Sequence, residues 1–320
     1  MIVRWGPLSL VADVCDELGV NAPLLVASPR WDDLDFPLVV TERWSEVPST
    51  RVEEAASLAG DSVVAVGGGS AIDLGKAISA ASGLPLVSVP TTYSGAEWTT
   101  FYGVRDTGRR MRGGGGGSRN AGIVYDVGLT VGLPLEPTVG TAMNALCHCA
   151  EALYAHGHNP ETDEIALDGA RLVATWLPRV VDAPDDRDYR TELLRGACHG
   201  GEALAGSMLA LAHAMAQAIG GKYGLPHGTL NGICLPPVLR YNARYAPVAV
   251  RAFGEAVDGD PAARVEELTA LGGITRLSQL GVPEADLPEL AASTAQRGGN
   301  QANPHPATPQ EILELLHSVW

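Results

Sequence analysis

A chain of 320 residues is long enough for two domains, and 46% hydrophobic with 18% charged residues is ordinary globular content. A formal charge of −15 argues against nucleic acid as a partner. No apolar run approaches the ~20 residues that cross a bilayer, no basic-then-apolar leader is present, and an odd five cysteines suit a reducing compartment, so a cytoplasmic protein without membrane contact is expected.

In chain order, residues 2–5 read as a short strand and 8–18 as an amphipathic helix. A second strand over 23–28 ends in Ser28-Pro29-Arg30, and 52–58 reads as a helix. Ser62-Val-Val-Ala-Val66 is a β-branched run of the kind buried in a parallel sheet. Gly67, Gly68 and Gly69 then make a tight turn, Ser70 takes the N-cap position, and 71–81 carries a helical pattern. Bare N–H groups at a helix start after a glycine turn are a ready phosphate site, although the spacing is not G-x-G-x-x-G. Residues 85–90 form another buried strand, followed by Thr91-Thr92-Tyr93-Ser94-Gly95-Ala96-Glu97. The pattern breaks between 100 and 122 into Arg105, Arg109, Arg110, Arg112 and the run Gly113 to Gly117, a mobile hairpin by this reading. Strands alternating with helices up to Asp126 imply a doubly wound parallel sheet.

After Asp126 strand signals stop. Ala/Leu-rich helical patterns cover about 137–155, 161–181, 189–220, 228–241, 262–271 and 308–318, with Pro134 at the boundary. The expected division is an α/β domain over 1–133 and an all-helical domain over 134–320, packed directly with a cleft between them. Asn144 and His148 share a helix face, as do His213 and Gln217 on a later helix that should stop at Gly220-Gly221. Pro226 suits the first turn of the next helix and puts His227 at its start. These side chains can converge on one point. A lone histidine on an apolar helix is usually just packed, but three at such spacings form a candidate site, with His305 a further candidate.

Gly67-Gly-Gly-Ser-Ala-Ile-Asp73, Pro90-Thr-Thr-Tyr-Ser-Gly-Ala-Glu97, Asn144-Ala-Leu-Cys-His148 and His213…Pro226-His227-Gly228 together resemble the iron-type (group III) alcohol dehydrogenases. Within that family the likeness is to the maleylacetate reductase branch, through Pro90-Thr-Thr-Tyr-Ser-Gly, Gly108-Arg-Arg110 and asparagine at 144, where metal-dependent members have aspartate. The resemblance implies an N-terminal NAD(P)-binding α/β domain and a helical catalytic domain. It places Gly68, Gly69 and Ser70 on the cofactor pyrophosphate, and Asp73, Thr91, Thr92 and Ser94 along the rest of the dinucleotide. Positions matching Asn144, His148, His213 and His227 hold Fe²⁺ or Zn²⁺ in the metal-dependent members. Gln217, where many members have histidine, the run Pro226-His-Gly-Thr-Leu-Asn231, and Pro236-Pro237 depart from the branch's pattern.

The implied activity is NAD(P)H-dependent reduction of maleylacetate to 3-oxoadipate in aromatic catabolism by a homodimer. Asn144, His148, His213 and His227 are the expected catalytic groups, serving as hydrogen-bond and proton donors to a small anionic substrate. Without a ligand carboxylate a divalent metal is disfavoured; if one binds, His148, His213 and His227 are its ligands. Arg105, Arg109 and Arg110 are available to substrate or to cofactor phosphate. Ser28 and Arg30 stand where NAD-specific relatives have aspartate, so NADPH should be accepted. The alternatives are a metal-dependent alcohol or aldehyde dehydrogenase, a lyase resembling dehydroquinate synthase, and an inactive nucleotide-binding protein. A lyase pocket of that kind calls for several lysines, and the helical half has only Lys222.

Overall fold

The valines before the glycine turn lie inside a six-stranded, all-parallel sheet in the computed structural model, which describes residues 1–320. The first elements are β1 (Ile2–Trp5), α1 (Leu10–Leu18), β2 (Pro23–Ala27), β3 (Glu42–Trp44), α2 (Val52–Ser57), β4 (Ser62–Gly67), α3 (Gly69–Ser82) and β5 (Pro85–Pro90). Then come β6 (Tyr102–Arg105), β7 (Met111–Gly115) and β8 (Arg119–Tyr125). The sheet order is β1-β8-β5-β4-β2-β3, while β6 and β7 pair antiparallel as a separate hairpin. In register, Leu25 sits opposite Val64 and Val64 opposite Val87.

Side chains alternate across the pleat, so each strand feeds two cores. Leu25, Val64, Val66, Val87 and Val89 pack with Val11, Val14 and Cys15 of α1 on one face. Leu24, Val26, Val63, Ala65 and Leu86 pack with Ala55, Leu74, Ala77 and Ile78 of α2 and α3 on the other. Both faces being covered is why β4 reads as an unbroken apolar run. Each valine, leucine or isoleucine among them, once buried, contributes about 1.5–3 kcal/mol.

No strand follows Tyr125. The helices are α4 (Leu135–Ala152), α5 (Pro160–Asp182), α6 (Arg187–Ala205), α7 (Leu211–Tyr223), α8 (His227–Asn242), α9 (Pro247–Ala256), α10 (Pro261–Ala270), α11 (Leu287–Ala295), α12 (Gly298–Gln301) and α13 (Pro309–Ser318). None is long and apolar enough to cross a membrane. The chain divides into two compact units, one of Met1–Thr92 and Ala96–Gly132, the other of Tyr93–Gly95 and Leu133–Trp320. The tripeptide Tyr93–Gly95 therefore belongs to the helical unit.

Several local expectations change. Gly68, not Ser70, is the N-cap of α3, and Ser70 lies inside the first turn. The single helix expected over 189–220 is two, broken between Ala205 and Leu211. A carboxylate from far upstream, Glu151, receives the backbone N–H groups of Ala210 and Ala212 and so lets a new helix begin there. Gly220 and Gly221 lie within α7, which ends at Gly224 with φ +73°. The three-residue edge strand β3 and the helices α9 and α11 were outside the expected elements.

Candidate functional site

In the α/β unit, α3 begins without any side-chain cap. Gly67 has φ +152°, and a Cβ on Gly68 would lie 2.8 Å from Thr92 Cγ2. The Thr92 hydroxyl beside this turn is buried and has no hydrogen-bond partner. Uncapped helix N–H groups, a backbone stripped of side chain and a spare hydroxyl together fit an anionic group such as a phosphate. Ser70 lies in that first turn, and Gly69 opens it. Thr91 is buried and its N–H donates to Gly67 O at 3.0 Å.

The other expected contacts of this unit are already engaged in part. Asp73 pairs with Lys76 Nζ at 2.9 Å and accepts from Gly103 N at 3.2 Å, tying α3 to β6. Arg30 Nη2 donates to Gly132 O at 2.7 Å. Ser28 O accepts from Arg43 Nη2 at 3.3 Å, and Arg43 also pairs with Asp32 at 3.0 Å. Sequence reasoning passed over Arg43, which reaches the end of β2 from the neighbouring strand. In the β6–β7 turn Arg109 has φ +64°, Arg105 Nη1 donates to Arg109 O at 3.1 Å, and Arg110 is exposed.

In the helical unit, one face of α4 carries Asn144, His148 and Glu151, because these positions are spaced by four and three. α7 brings His213 in its first turn, and α8 starts at His227 with Asn231 one turn later. The three imidazoles gather: His148 stacks on His213 with centroids 4.8 Å apart, and His213 lies 5.5 Å from His227. Asn144, His148 and His213 are 6%, 5% and 1% exposed. Gln217 is half-buried further along α7, and His305 is taken up by stacking on Tyr245 at 4.3 Å.

Hydrogen-bond polarity in this cluster is set from two ends, each an oxygen that can only accept. At one end Asn144 Nδ2 donates to Ser94 O at 2.8 Å, and it lies 3.4 Å from His148 Nε2. Asn144 Oδ1 must therefore face Asn231, whose Nδ2 donates to it at 2.5 Å. The same Nδ2 lies 3.1 Å from His213 Nε2 and 3.2 Å from His227 Nε2. At the other end Glu151 Oε2 lies 2.7 Å from His213 Nδ1, an acceptor placed to receive an Nδ1–H. Asn144 Oδ1, His213 Nε2 and His227 Nε2 thus converge on one amide nitrogen that has two hydrogens. The amide of Asn231 is thus the point where side chains from α4, α7 and α8 meet.

Cys147 Sγ lies 3.4 Å from His213 Nδ1, so Cys147, Glu151 and His213 also group as possible metal ligands. Their chemistry argues otherwise. Burial pushes the Cys147 thiol well above its ordinary pKa, and both Glu151 oxygens are already occupied. Ser94 enters the site through its carbonyl, and the tripeptide holding it is fixed three more times. Tyr93 N donates to Thr141 Oγ1 at 3.2 Å, Arg190 Nη1 donates to Tyr93 OH at 2.9 Å, and Gly95, φ +71°, packs where a Cβ would lie 2.9 Å from Gly201 Cα. Glu151 and Asn231 escaped the sequence reading. Their offsets from His148 and His227, three and four residues on predicted helices, were the available signal.

Residues 138–320 match the family model described as Fe-containing alcohol dehydrogenase family, C-terminal, and residues 1–119 match that of iron-containing alcohol dehydrogenase. The chain is 37% identical over 269 residues to the maleylacetate reductase of Burkholderia cepacia, covering 83% of this chain and 76% of that one. It is 34% identical over 332 residues to the maleylacetate reductase of Sphingobium indicum, covering 99% and 94%. The crystal structure of maleylacetate reductase from Agrobacterium tumefaciens superposes with a TM-score of 0.89 at 28% identity, covering 100% of this chain and 95% of that one.

Proposed function

The chain belongs to the iron-containing alcohol dehydrogenase family and is an NAD(P)H-dependent oxidoreductase, and from that premise we propose that it reduces maleylacetate to 3-oxoadipate. The observation that carries the reading is the cluster of Asn144, His148, His213, His227 and Asn231, three imidazoles and two amides gathered at one point. One added proton turns an imidazole Nε2 into a donor, and a dicarboxylate supplies the charge that makes that proton favourable.

Gly68, Gly69 and Ser70 would hold the cofactor pyrophosphate, with the Thr92 hydroxyl beside it. When bound, the reduced nicotinamide supplies the hydride. The hydride adds to the alkene carbon β to the ketone, the π pair moves onto the ketone oxygen, and an imidazolium N–H stabilises the enolate there. The proton then passes to the carbon α to the ketone, so one hydride and one proton saturate the double bond. Arg43 beside Ser28, where it also pairs with Asp32, supports acceptance of NADPH as well as NADH.

The same convergence of imidazoles favours a second reading, in which His148, His213 and His227 hold a divalent cation. A divalent cation held by three neutral imidazoles calls for an anion nearby. Glu151 provides one behind His213, and a carboxylate in that position supports metal-bound histidines elsewhere. Such an ion would polarise a carbonyl as a Lewis acid.

A substrate panel separates the two. Purified enzyme is assayed for NADPH and NADH oxidation with maleylacetate, with simple aldehydes and without substrate, before and after chelation. Maleylacetate turnover that survives chelation is expected. Turnover of aldehydes alone, lost with the chelator and restored by Zn²⁺ or Fe²⁺, would move the enzyme to the alcohol dehydrogenase reading.

A further inference from the structure

Glu151 is fully buried, and its two oxygens serve two purposes at once. Oε2 accepts from Ala210 N at 2.6 Å and faces His213 Nδ1 at 2.7 Å, while Oε1 accepts from Ala212 N at 2.8 Å and His213 N at 3.2 Å. The carboxylate thus grips both the backbone and the ring of His213, fixing where the helix starts and which way the imidazole turns. We propose that Glu151 is a positioning residue that holds His213 in the Nδ1–H tautomer, so that Nε2 enters the cluster as a lone pair.

The consequence runs through the neighbours. An Nε2–H on His213 would point at Asn231 Nδ2 3.1 Å away, donor against donor. Asn231 would have to turn, and Asn144 Oδ1 would lose the N–H it now accepts. A neutral amide cannot replace the carboxylate at 151. Each Glu151 oxygen receives two N–H groups, whereas glutamine has one oxygen, so either amide orientation turns an NH₂ toward a pair of donors. The backbone N–H groups of α7 are fixed, but the imidazole is free to exchange its proton between nitrogens.

The test uses the full-length protein with ¹⁵N-labelled histidine, with His213 assigned by the loss of its signals in a His213→Asn variant. In the wild type at neutral pH, long-range ¹⁵N–¹H spectra should show His213 protonated at Nδ1 and bare at Nε2. Glu151→Gln should move it toward the Nε2–H form, and maleylacetate-dependent kcat should fall about 10- to 100-fold with KM nearly unchanged. A wild-type His213 found as Nε2–H overturns the proposal whether or not the variant folds. So does a folded Glu151→Gln protein that loses thermal stability while its His213 tautomer stays the same, because helix capping alone would produce that. The kinetic arm rests on the maleylacetate reading; the spectra need no turnover, so failure of that reading and failure of this one are told apart.

Discussion

Lys76 in the α/β unit is buried, as is the histidine cluster in the helical unit apart from half-buried His227, yet their polar groups surround opposite things. Lys76 is 1% exposed, and its Nζ meets Ala96 O and Phe101 O at 2.7 Å, Asp73 Oδ1 at 2.9 Å and Thr99 Oγ1 at 3.1 Å. A resident cation fills that focus, every one of its N–H groups is used, and nothing more can enter. In the histidine cluster the focus holds only the neutral amide of Asn231. Buried polar groups that are saturated lock a fold; ring nitrogens gathered around a neutral amide are placed to meet a ligand.

Removing the resident cation is the strongest way to break that contrast. Lys76→Met leaves two carbonyls, the buried Thr99 hydroxyl and a partly exposed carboxylate without their donor, and should cost about 3 kcal/mol in urea denaturation. A loss under about 0.5 kcal/mol would mean that the lysine is not what holds this region. The converse change puts an anion at the second focus. Asn144→Asp removes the donor to Ser94 O and buries a carboxylate, at a cost of about 2 kcal/mol. Added Zn²⁺ should raise the variant's melting temperature more than the wild type's; equal shifts would show that the carboxylate gains no ion there.

The smallest effect sharpens the first cluster. Glu97 is buried beside Lys76's loop with Tyr125 OH donating to its Oε1 at 2.8 Å, and burial raises its pKa above the ordinary carboxylate value despite Tyr125 and the Lys76 charge. Folding therefore favours the protonated acid. Its contribution is fully present below an unfolded-state pKa of about 4.3 and is lost as pH rises through the folded-state value, at up to about 1.4 kcal/mol per pH unit. Glu97→Gln should flatten that decline between pH 4.5 and pH 7 in denaturant titrations. Parallel stability curves for the two proteins would assign Glu97 no linked proton.

The sheet was legible because two-sided burial leaves a compositional trace: Ser62 to Val66 and residues 85–90 could hardly be anything else. β3 was not, since three residues at an edge, Glu42 to Trp44, carry no periodicity. Helix faces made Asn144, His148, His213 and His227 visible as a set, and the structure brings them together. The start of α7 was hidden for a different reason. What interrupts the helical pattern at Gly206 to Ala210 is a carboxylate some sixty residues away, and window-based reading has no access to a partner at that range. Lys76 was noticed only for its rarity; its burial came from the loop that folds over it.

The placement of Tyr93–Gly95 in the helical unit has a meaning for how this gene can be divided. A fragment beginning at Leu133 would carry every helix from α4 onward and still not be a whole object. Arg190, 1% exposed, would lose its phenol oxygen, Asn144 the carbonyl that orients it, and Gly201 the glycine that packs against it. Inheritance by exchange of halves is thereby constrained. A recombinant joining one parent's first 132 residues to another's remainder brings in a foreign keystone, and Tyr93, Ser94 and Gly95 must suit the helices of the second parent rather than the sheet they travel with.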